Sequence, residues 1–126
     1  MLIIFLPACS HMAEKKKTDN LEATQKLFWK SLRWKSYDSA AGLIRFKNPA
    51  RKLASIEGLN KITVTNYELV STAAVTEDGV VTTHVVFDYV QNDTGRVYQI
   101  IHQENWWYEE ASQRWYLASD MPDFKY

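Results

Sequence analysis

The sequence predicts an α+β domain in which N-terminal helices pack on one face of a bent four-stranded antiparallel meander. Two turn sequences that end in glycine, Thr76–Gly79 and Asn92–Gly95, divide residues 61–119 into short runs. Those runs alternate apolar and polar side chains, which is the period of a β-strand. The residues before them repeat apolar side chains at helical spacing instead. Helices followed by consecutive strands indicate an α+β arrangement with the helices on one side.

Length and composition limit which classes of function are possible. The chain has 126 residues, which is enough for one domain with its own core. Its 15 basic and 15 acidic residues cancel, whereas nucleic-acid binders usually carry a basic excess, so we expect no nucleic-acid partner. One cysteine excludes an internal disulfide and leaves no cysteine cluster for a metal. We expect no metal and no cofactor.

Residues 1–17 are predicted to lie outside the domain, which spans 18–126. Leu6–Ser10 resembles a bacterial lipoprotein box, in which Cys9 would be lipidated after cleavage of the short apolar run before it. We therefore expect a signal remnant and a lysine-rich tether, with the chain lipid-anchored on the periplasmic side of a bacterial envelope. The alternatives are a cysteine present by chance in a disordered terminus, or a cytoplasmic protein whose true start is Met12.

Three helices are predicted ahead of the sheet. The first begins near Asp19, which forms a capping pair with the glutamate three residues on, and it carries a broad apolar stripe. A short second helix spans 39–45, and a proline opens a third over 49–56. Trp29 and Trp34 flank the stripe of the first helix, where each is either the edge of the core or the wall of a pocket.

The two turns predict the register of the sheet. Each suits a three-residue hairpin loop closed by a glycine with positive φ, which places Thr76 opposite Val80 and Asn92 opposite Arg96. Side chains alternate between faces along a strand, so this register separates an uncharged core face from a charged outer face. The predicted core face comprises Tyr67, Leu69, Ser71, Ala73, Val75, Val81, Thr83, Val85, Phe87, Tyr89, Val97, Gln99, Ile101, Gln103, Asn105 and Trp107, with Trp115 and Leu117 of the last strand.

Amide side chains lie between aromatic rings on this predicted core face. A buried amide without a partner costs about 1–3 kcal/mol, so three of them indicate either the wet end of a pocket or bonds to a helix or buried water. The candidate ligand-binding residues are Trp29, Trp34, Tyr67, Tyr89, Gln99, Gln103, Asn105 and Trp107.

The predicted outer face carries the titratable groups, and they are the candidates for a general base if the chain is an enzyme. These candidates are His84, His102, Asp88 and Glu104. In the predicted register His84 faces Glu104 and lies diagonal to His102. Two imidazoles and a carboxylate at that spacing could also hold a divalent metal, although a polar patch or an interface network explains them more simply, and a one-residue bulge would turn the groups inward. Apolar side chains share this face, so we expect a homodimer or a protein partner to pack there. They are Val70, Val86, Tyr98, Ile100 and Trp106.

The order of helices and strands resembles the NTF2-like superfamily of cone-shaped α+β proteins, and most of all small bacterial members of unassigned function. The resemblance covers roughly residues 18–124. It rests on Leu27–Trp29, Tyr37–Asp38, Ile62–Glu68, Arg114–Leu117 and Pro122–Phe124. It implies a conical pocket and, in many members, a dimer through the outer face of the sheet.

Some NTF2-like proteins are isomerases, dehydratases or cyclases that use an Asp or His inside the cone, and others only bind ligands or proteins. The uncharged predicted interior favours a non-catalytic module that binds a small apolar ligand or a partner protein, as an envelope lipoprotein or an accessory subunit of a membrane complex. The alternatives are a ketosteroid-isomerase-like enzyme with a His or Asp base, and a purely structural subunit.

Overall fold

A computed structural model describes residues 6–73, 75–76 and 78–126, with side chains from residue 13 onward. The elements are α1 (Leu6–Arg33), α2 (Tyr37–Ala41), a 3₁₀ helix (Glu57–Lys61), β1 (Ile62–Thr72), β2 (Val81–Gln91), β3 (Val97–Glu109) and β4 (Arg114–Leu117). The strands form one antiparallel sheet in the order β1-β2-β3-β4, so each strand pairs with the next along the chain and the sheet stays open. The α+β meander prediction is confirmed.

The helices differ from their predicted bounds. α1 begins at Leu6 rather than near Asp19, because the alanine, glutamate and lysines of residues 13–17 are good helix formers and no proline or glycine interrupts them. α2 is five residues long; it begins two residues before the predicted 39–45 segment and ends within it, at Ala41. The predicted helix over 49–56 is absent: one turn closes from Arg51 N–H to the Asn48 carbonyl, and the chain that follows is neither helix nor strand. A helix that short gains little without a face to bury.

The core lies between α1 and one face of the sheet. Leu21, Phe28 and Leu32 lie along one side of α1 at spacings of seven and four residues, and all three are buried. Phe28 meets the ring of Trp106 edge-on, with the ring centroids 5.9 Å apart. On β2 the buried residues alternate as predicted; they are Val81, Thr83, Val85, Phe87 and Tyr89. Burying a large apolar side chain contributes about 1.5–3 kcal/mol, so this seam fixes α1 on the sheet.

The first hairpin closes as predicted. Thr76 N–H donates to the Val80 carbonyl at 3.1 Å, and Gly79 has a φ of 79°. The pairing is already one residue off at Thr72, which lies opposite Thr83, and an irregularity between Leu69 and Ser71 adds a second residue. Tyr67 therefore lies opposite Phe87 and not, as counting from the turn predicts, opposite Tyr89. Because that shift amounts to two residues at Tyr67, the ring keeps its predicted face.

The second hairpin does not close as predicted. Gln91, not Asn92, pairs with Arg96, which leaves a four-residue loop. The physical reason is that Asn92 bonds the start of β1: its N–H donates to the Lys61 carbonyl at 2.9 Å, and its side-chain oxygen accepts from Thr63 at 2.7 Å. The slip of one residue reverses the facing of every side chain of β3 relative to β2.

The reversal corrects the predicted faces of β3. His102, Glu104 and Trp106 are buried, and Tyr98 and Ile100 pack against the core. The residues of β3 that were predicted to face the core point away from it: Val97, Gln99, Ile101, Gln103, Asn105 and Trp107. The sequence predicts Trp107 opposite Trp115, whereas β4 pairs one residue further along, with Trp106 opposite Leu117. Because β3 and β4 both slip by one residue, Trp115 and Leu117 are buried as predicted.

Candidate functional site

An open groove separates the N-terminal half of α1 from the end of the sheet where the first hairpin turns. Its volume is about 590 Å³, within the range of small-molecule sites. Apolar side chains supply most of the exposed inner wall; they are Leu21 of α1, Leu69 of β1, Val75 and Val81 of the first hairpin, and Trp115 of β4. Leu69 and Val75 are 44% and 63% exposed, which is a high exposure for large apolar side chains that face one cavity.

Lys17 holds one end of this groove in place. Its carbonyl accepts from Trp115 Nε1 at 2.9 Å, and its Nζ lies 4.3 Å from the centroid of the Tyr108 ring. The same Nζ lies 3.6 Å from a carboxylate oxygen of Glu110. A cation over an aromatic face contributes about 0.5–1 kcal/mol at an exposed site, so these contacts fix α1 against the β3–β4 hairpin.

A fully buried carboxylate lies beyond the inner end of the groove. Glu104 is 0% exposed, and its oxygens accept from the indole N–H of Trp29 at 3.0 and 3.2 Å and from that of Trp106 at 3.2 Å. The Thr83 hydroxyl lies 3.5 Å from Oε1. An uncompensated buried charge costs several kcal/mol, and this set of donors offsets that cost.

His102 is a further hydrogen-bond partner of the Glu104 carboxylate. Its Nδ1 lies 2.9 Å from Glu104 Oε2, and its Nε2 lies 2.7 Å from the carbonyl oxygen of Asp120. A carbonyl oxygen only accepts, so Nε2 carries a proton; a second proton lies between Nδ1 and Oε2. The ring packs between Phe28 and Phe87, with centroid distances of 6.3 and 6.1 Å.

Glu104 and His102, which we call the buried pair, lie behind the residues that line the groove and are not part of its lining. Thr83 follows Val81 on the same face of β2, about 7 Å along the strand. Trp29 likewise follows Gln25 by one turn of α1, about 5 Å. Both ring nitrogens and both carboxylate oxygens already have partners within the protein. The pair is therefore built to hold α1, β3 and the C-terminal segment together, and it has no free lone pair for a molecule in the groove.

The other two candidates for a general base lie on the outer face. His84 Nδ1 is 3.1 Å from the Ser71 hydroxyl, and Asp88 accepts from Gln99 Nε2 at 2.8 Å. The sequence prediction that His84 faces Glu104 is wrong, because Gln103 lies opposite His84. Within the described residues no three His, Cys, Asp or Glu side chains are grouped as metal ligands.

The predicted ligand-binding residues do not form one site. Trp29 and Tyr89 are buried, Tyr67 packs on Trp29 at 5.9 Å between centroids, and Trp34 is 69% exposed. The remaining four residues face away from the core because β3 is shifted by one residue relative to β2; they are Gln99, Gln103, Asn105 and Trp107.

The chain fills the far end of the predicted cone itself. Phe124 is 4% exposed and packs edge-on against Tyr89, with the ring centroids 4.8 Å apart. The Tyr89 hydroxyl accepts from the backbone N–H of Lys125 at 2.9 Å. The open space therefore lies at the other end, in the groove. Lys17 was missed there because the helix was predicted to begin after it, whereas Leu69, Val75, Val81 and Trp115 were placed on the core face.

Comparison of the chain with protein-family models, with curated proteins and with solved structures gives no match. The NTF2-like resemblance therefore stays a prediction. In the described part of the chain, no helix is both long enough and apolar enough to cross a membrane. The lipidation predicted at Cys9 falls on a side chain outside the described residues, so the lipid anchor also stays a prediction.

Proposed function

We propose that the chain is a non-catalytic binding module whose groove between α1 and the first hairpin takes a small apolar ligand. The observation that carries the proposal is the apolar inner wall of the groove. Leu69 and Val75 on this wall are exposed to a cavity of about 590 Å³, and no side chain of the described residues fills it. Apolar surface that is left open at a concave site contributes binding free energy of about 25 cal/mol per Å² when a ligand covers it.

The enzyme alternative has less support. His102 and Glu104 do face the interior, but a general base must reach the proton it removes, directly or through one water. Every polar atom of this pair is bonded within the protein, and neither residue lines the groove. His84 and Asp88 lie on the outer face, where each bonds a neighbouring side chain.

Two adjacent residues of β1 provide a matched test of the groove. Leu69 lines it, whereas Val70 is similarly exposed, at 52%, and does not. We expect Leu69→Asn to weaken the binding of a neutral environment-sensitive dye such as Nile red by roughly five- to thirtyfold, because about 1–2 kcal/mol of apolar contact is lost. Val70→Asn should change the affinity by less than about twofold. Both affinities come from fluorescence titration of variants with equal urea midpoints, and an equal loss in both would refute the groove as the site.

The outer face of the sheet supports a second proposal, that two copies of the chain associate there. The slip of β3 replaces Tyr98, Ile100 and Trp106 on this face with Val97 and Ile101. These two side chains are 73% and 65% exposed. A sheet face with exposed aliphatic groups suits a two-fold interface, in which the same patch serves both copies.

A further inference from the structure

The loop between α2 and the 3₁₀ helix concentrates positive charge although the whole chain is neutral. Residues 45–52 contain two arginines and two lysines and no acidic residue. The loop lies along β3 and β4: Arg45 N–H donates to the Leu117 carbonyl at 2.9 Å, and Trp107 Nε1 donates to the Arg45 carbonyl at 2.7 Å. These bonds fix the loop on the protein surface.

A cleft of about 460 Å³ opens between this loop and β3. We call it the basic cleft and define it by Arg45, Phe46, Lys47, Arg51 and Trp107, which line it. The groove between α1 and the first hairpin has none of these residues in its lining, so the two cavities are separate.

Aromatic rings orient the cations of the basic cleft. The guanidinium carbon of Arg51 lies 4.1 Å from the centroid of Phe46, and the Lys47 Nζ lies 5.6 Å from that of Trp107. A guanidinium stacked on a ring keeps its N–H groups free at its edge, because they lie in the plane of the group. Arg51 is therefore oriented for a fork of parallel hydrogen bonds to an anion.

Within the described part of the chain, charge pairing leaves two cations of the cleft available. Arg45 forms an ion pair with Glu109, which also lines the cleft, with 3.0 Å between nitrogen and oxygen. Among the described residues, neither Lys47 nor Arg51 has a carboxylate within 4.0 Å. Asp78 lies further off, in an adjoining depression that Lys47 and Arg51 also line. Its pKa is lowered chiefly by a hydrogen bond from Thr76 and, among smaller effects, by the charge on Lys47.

We propose that the basic cleft binds a phosphate group, carried by a soluble phosphorylated molecule or by the headgroup of an anionic phospholipid. Arg51 donates two hydrogen bonds to a pair of phosphate oxygens, and Lys47 contributes a compact positive charge. The rings of Phe46 and Trp107 contact the apolar part of the ligand next to the phosphate. Hydrogen bonds to a charged group contribute about 1.5–3 kcal/mol each, so losing both cations weakens binding by at least about tenfold.

The test compares two double variants of the full chain that have the same net charge. Lys47→Gln with Arg51→Gln removes the available cations of the cleft. Lys26→Gln with Lys30→Gln removes two exposed lysines of α1 that line no described cavity. Amide NMR spectra are recorded during titration with phenyl phosphate and with inorganic phosphate. We expect saturable shifts at residues 45–53, about tenfold weaker binding in the cleft variant, and a change of less than twofold in the α1 variant.

Vesicle co-sedimentation identifies the source of the phosphate. Binding to phosphatidylglycerol vesicles but not to phosphatidylcholine vesicles, lost only in the cleft variant, assigns the site to a lipid headgroup. Saturation by phenyl phosphate without vesicle binding assigns it to a soluble molecule. The proposal is overturned if phenyl phosphate, inorganic phosphate and phosphatidylglycerol vesicles all fail to give a saturable response. It is also overturned if both double variants lose the response equally.

Discussion

Replacing His102 with leucine tests the buried pair and the register of β3 together. The leucine still fills the space between Phe28 and Phe87, but it removes the nearer partner of Glu104 Oε2, at 2.9 Å, and leaves that oxygen only the indole N–H of Trp29 at 3.2 Å. It also removes the partner of the Asp120 carbonyl at 2.7 Å. Each buried acceptor left without a partner costs about 1–3 kcal/mol, and breaking a buried ion pair on one side costs about 3–5 kcal/mol. We therefore expect the free energy of unfolding to fall by about 3–5 kcal/mol.

His84→Leu is the matched control, because it makes the same substitution on the neighbouring strand. His84 is half-buried on the outer face and has one side-chain partner, the Ser71 hydroxyl at 3.1 Å. Its replacement should cost less than about 1 kcal/mol. Urea unfolding followed by tryptophan fluorescence measures both, and with a urea dependence of about 1–3 kcal/mol per M the His102 variant should unfold about 2 M earlier.

Equal losses in the two variants would refute the inward facing of β3, since the register predicted from the sequence puts both imidazoles on one outer face. If the His102 variant does not fold, nitrogen NMR of the wild-type imidazoles decides the question. The hydrogen-bond geometry predicts that both ring nitrogens of His102 carry or share a proton. A freely exchanging, solvent-exposed ring at His102 would contradict the account.

Two further predictions concern alkaline pH and self-association. Burial raises the pKa of Tyr37, whose hydroxyl lies 3.4 Å from the Ile62 carbonyl, so the unfolded chain releases this proton first and stability falls as pH rises above about 10. Tyr37→Phe should lose less stability than wild type between pH 9 and 11 in urea titrations, and parallel curves would refute the effect. Sedimentation should show a dimer at micromolar concentration that Ile101→Glu converts to a monomer, whereas a wild-type monomer would refute the outer-face interface.

The sequence predicts those parts of the fold that depend on local pattern. β2 alternates as expected from its apolar residues, and Gly79 closes the first turn with a positive φ. Trp115 and Leu117 are buried as predicted, although β4 pairs one residue further along than expected.

The second turn could not be predicted from its own four residues. Asn92 bonds Asn60, Lys61 and Thr63, which are about thirty positions earlier in the chain, and those bonds move the closing pair of the hairpin by one residue. A slip of one residue exchanges the two faces of β3, so the buried His102–Glu104 pair followed from a long-range contact and not from a local pattern.

The groove also depends on long-range packing. Its wall on the sheet was visible as apolar side chains on the predicted core face, and residues 13–17 favour a helix, but no local pattern shows that α1 leaves open space beside that wall. The C-terminal Phe124 fills the opposite end of the interior, which decides where the cavity lies.

Methyl NMR of the full chain during titration with Nile red tests the proposed groove most directly. The account predicts saturable shifts of the methyl groups of Leu21, Leu69, Val75 and Val81, which line the groove, and unchanged signals from Val97 and Ile101 on the outer face. Saturable shifts at Val97 and Ile101 with unchanged groove methyls would contradict it.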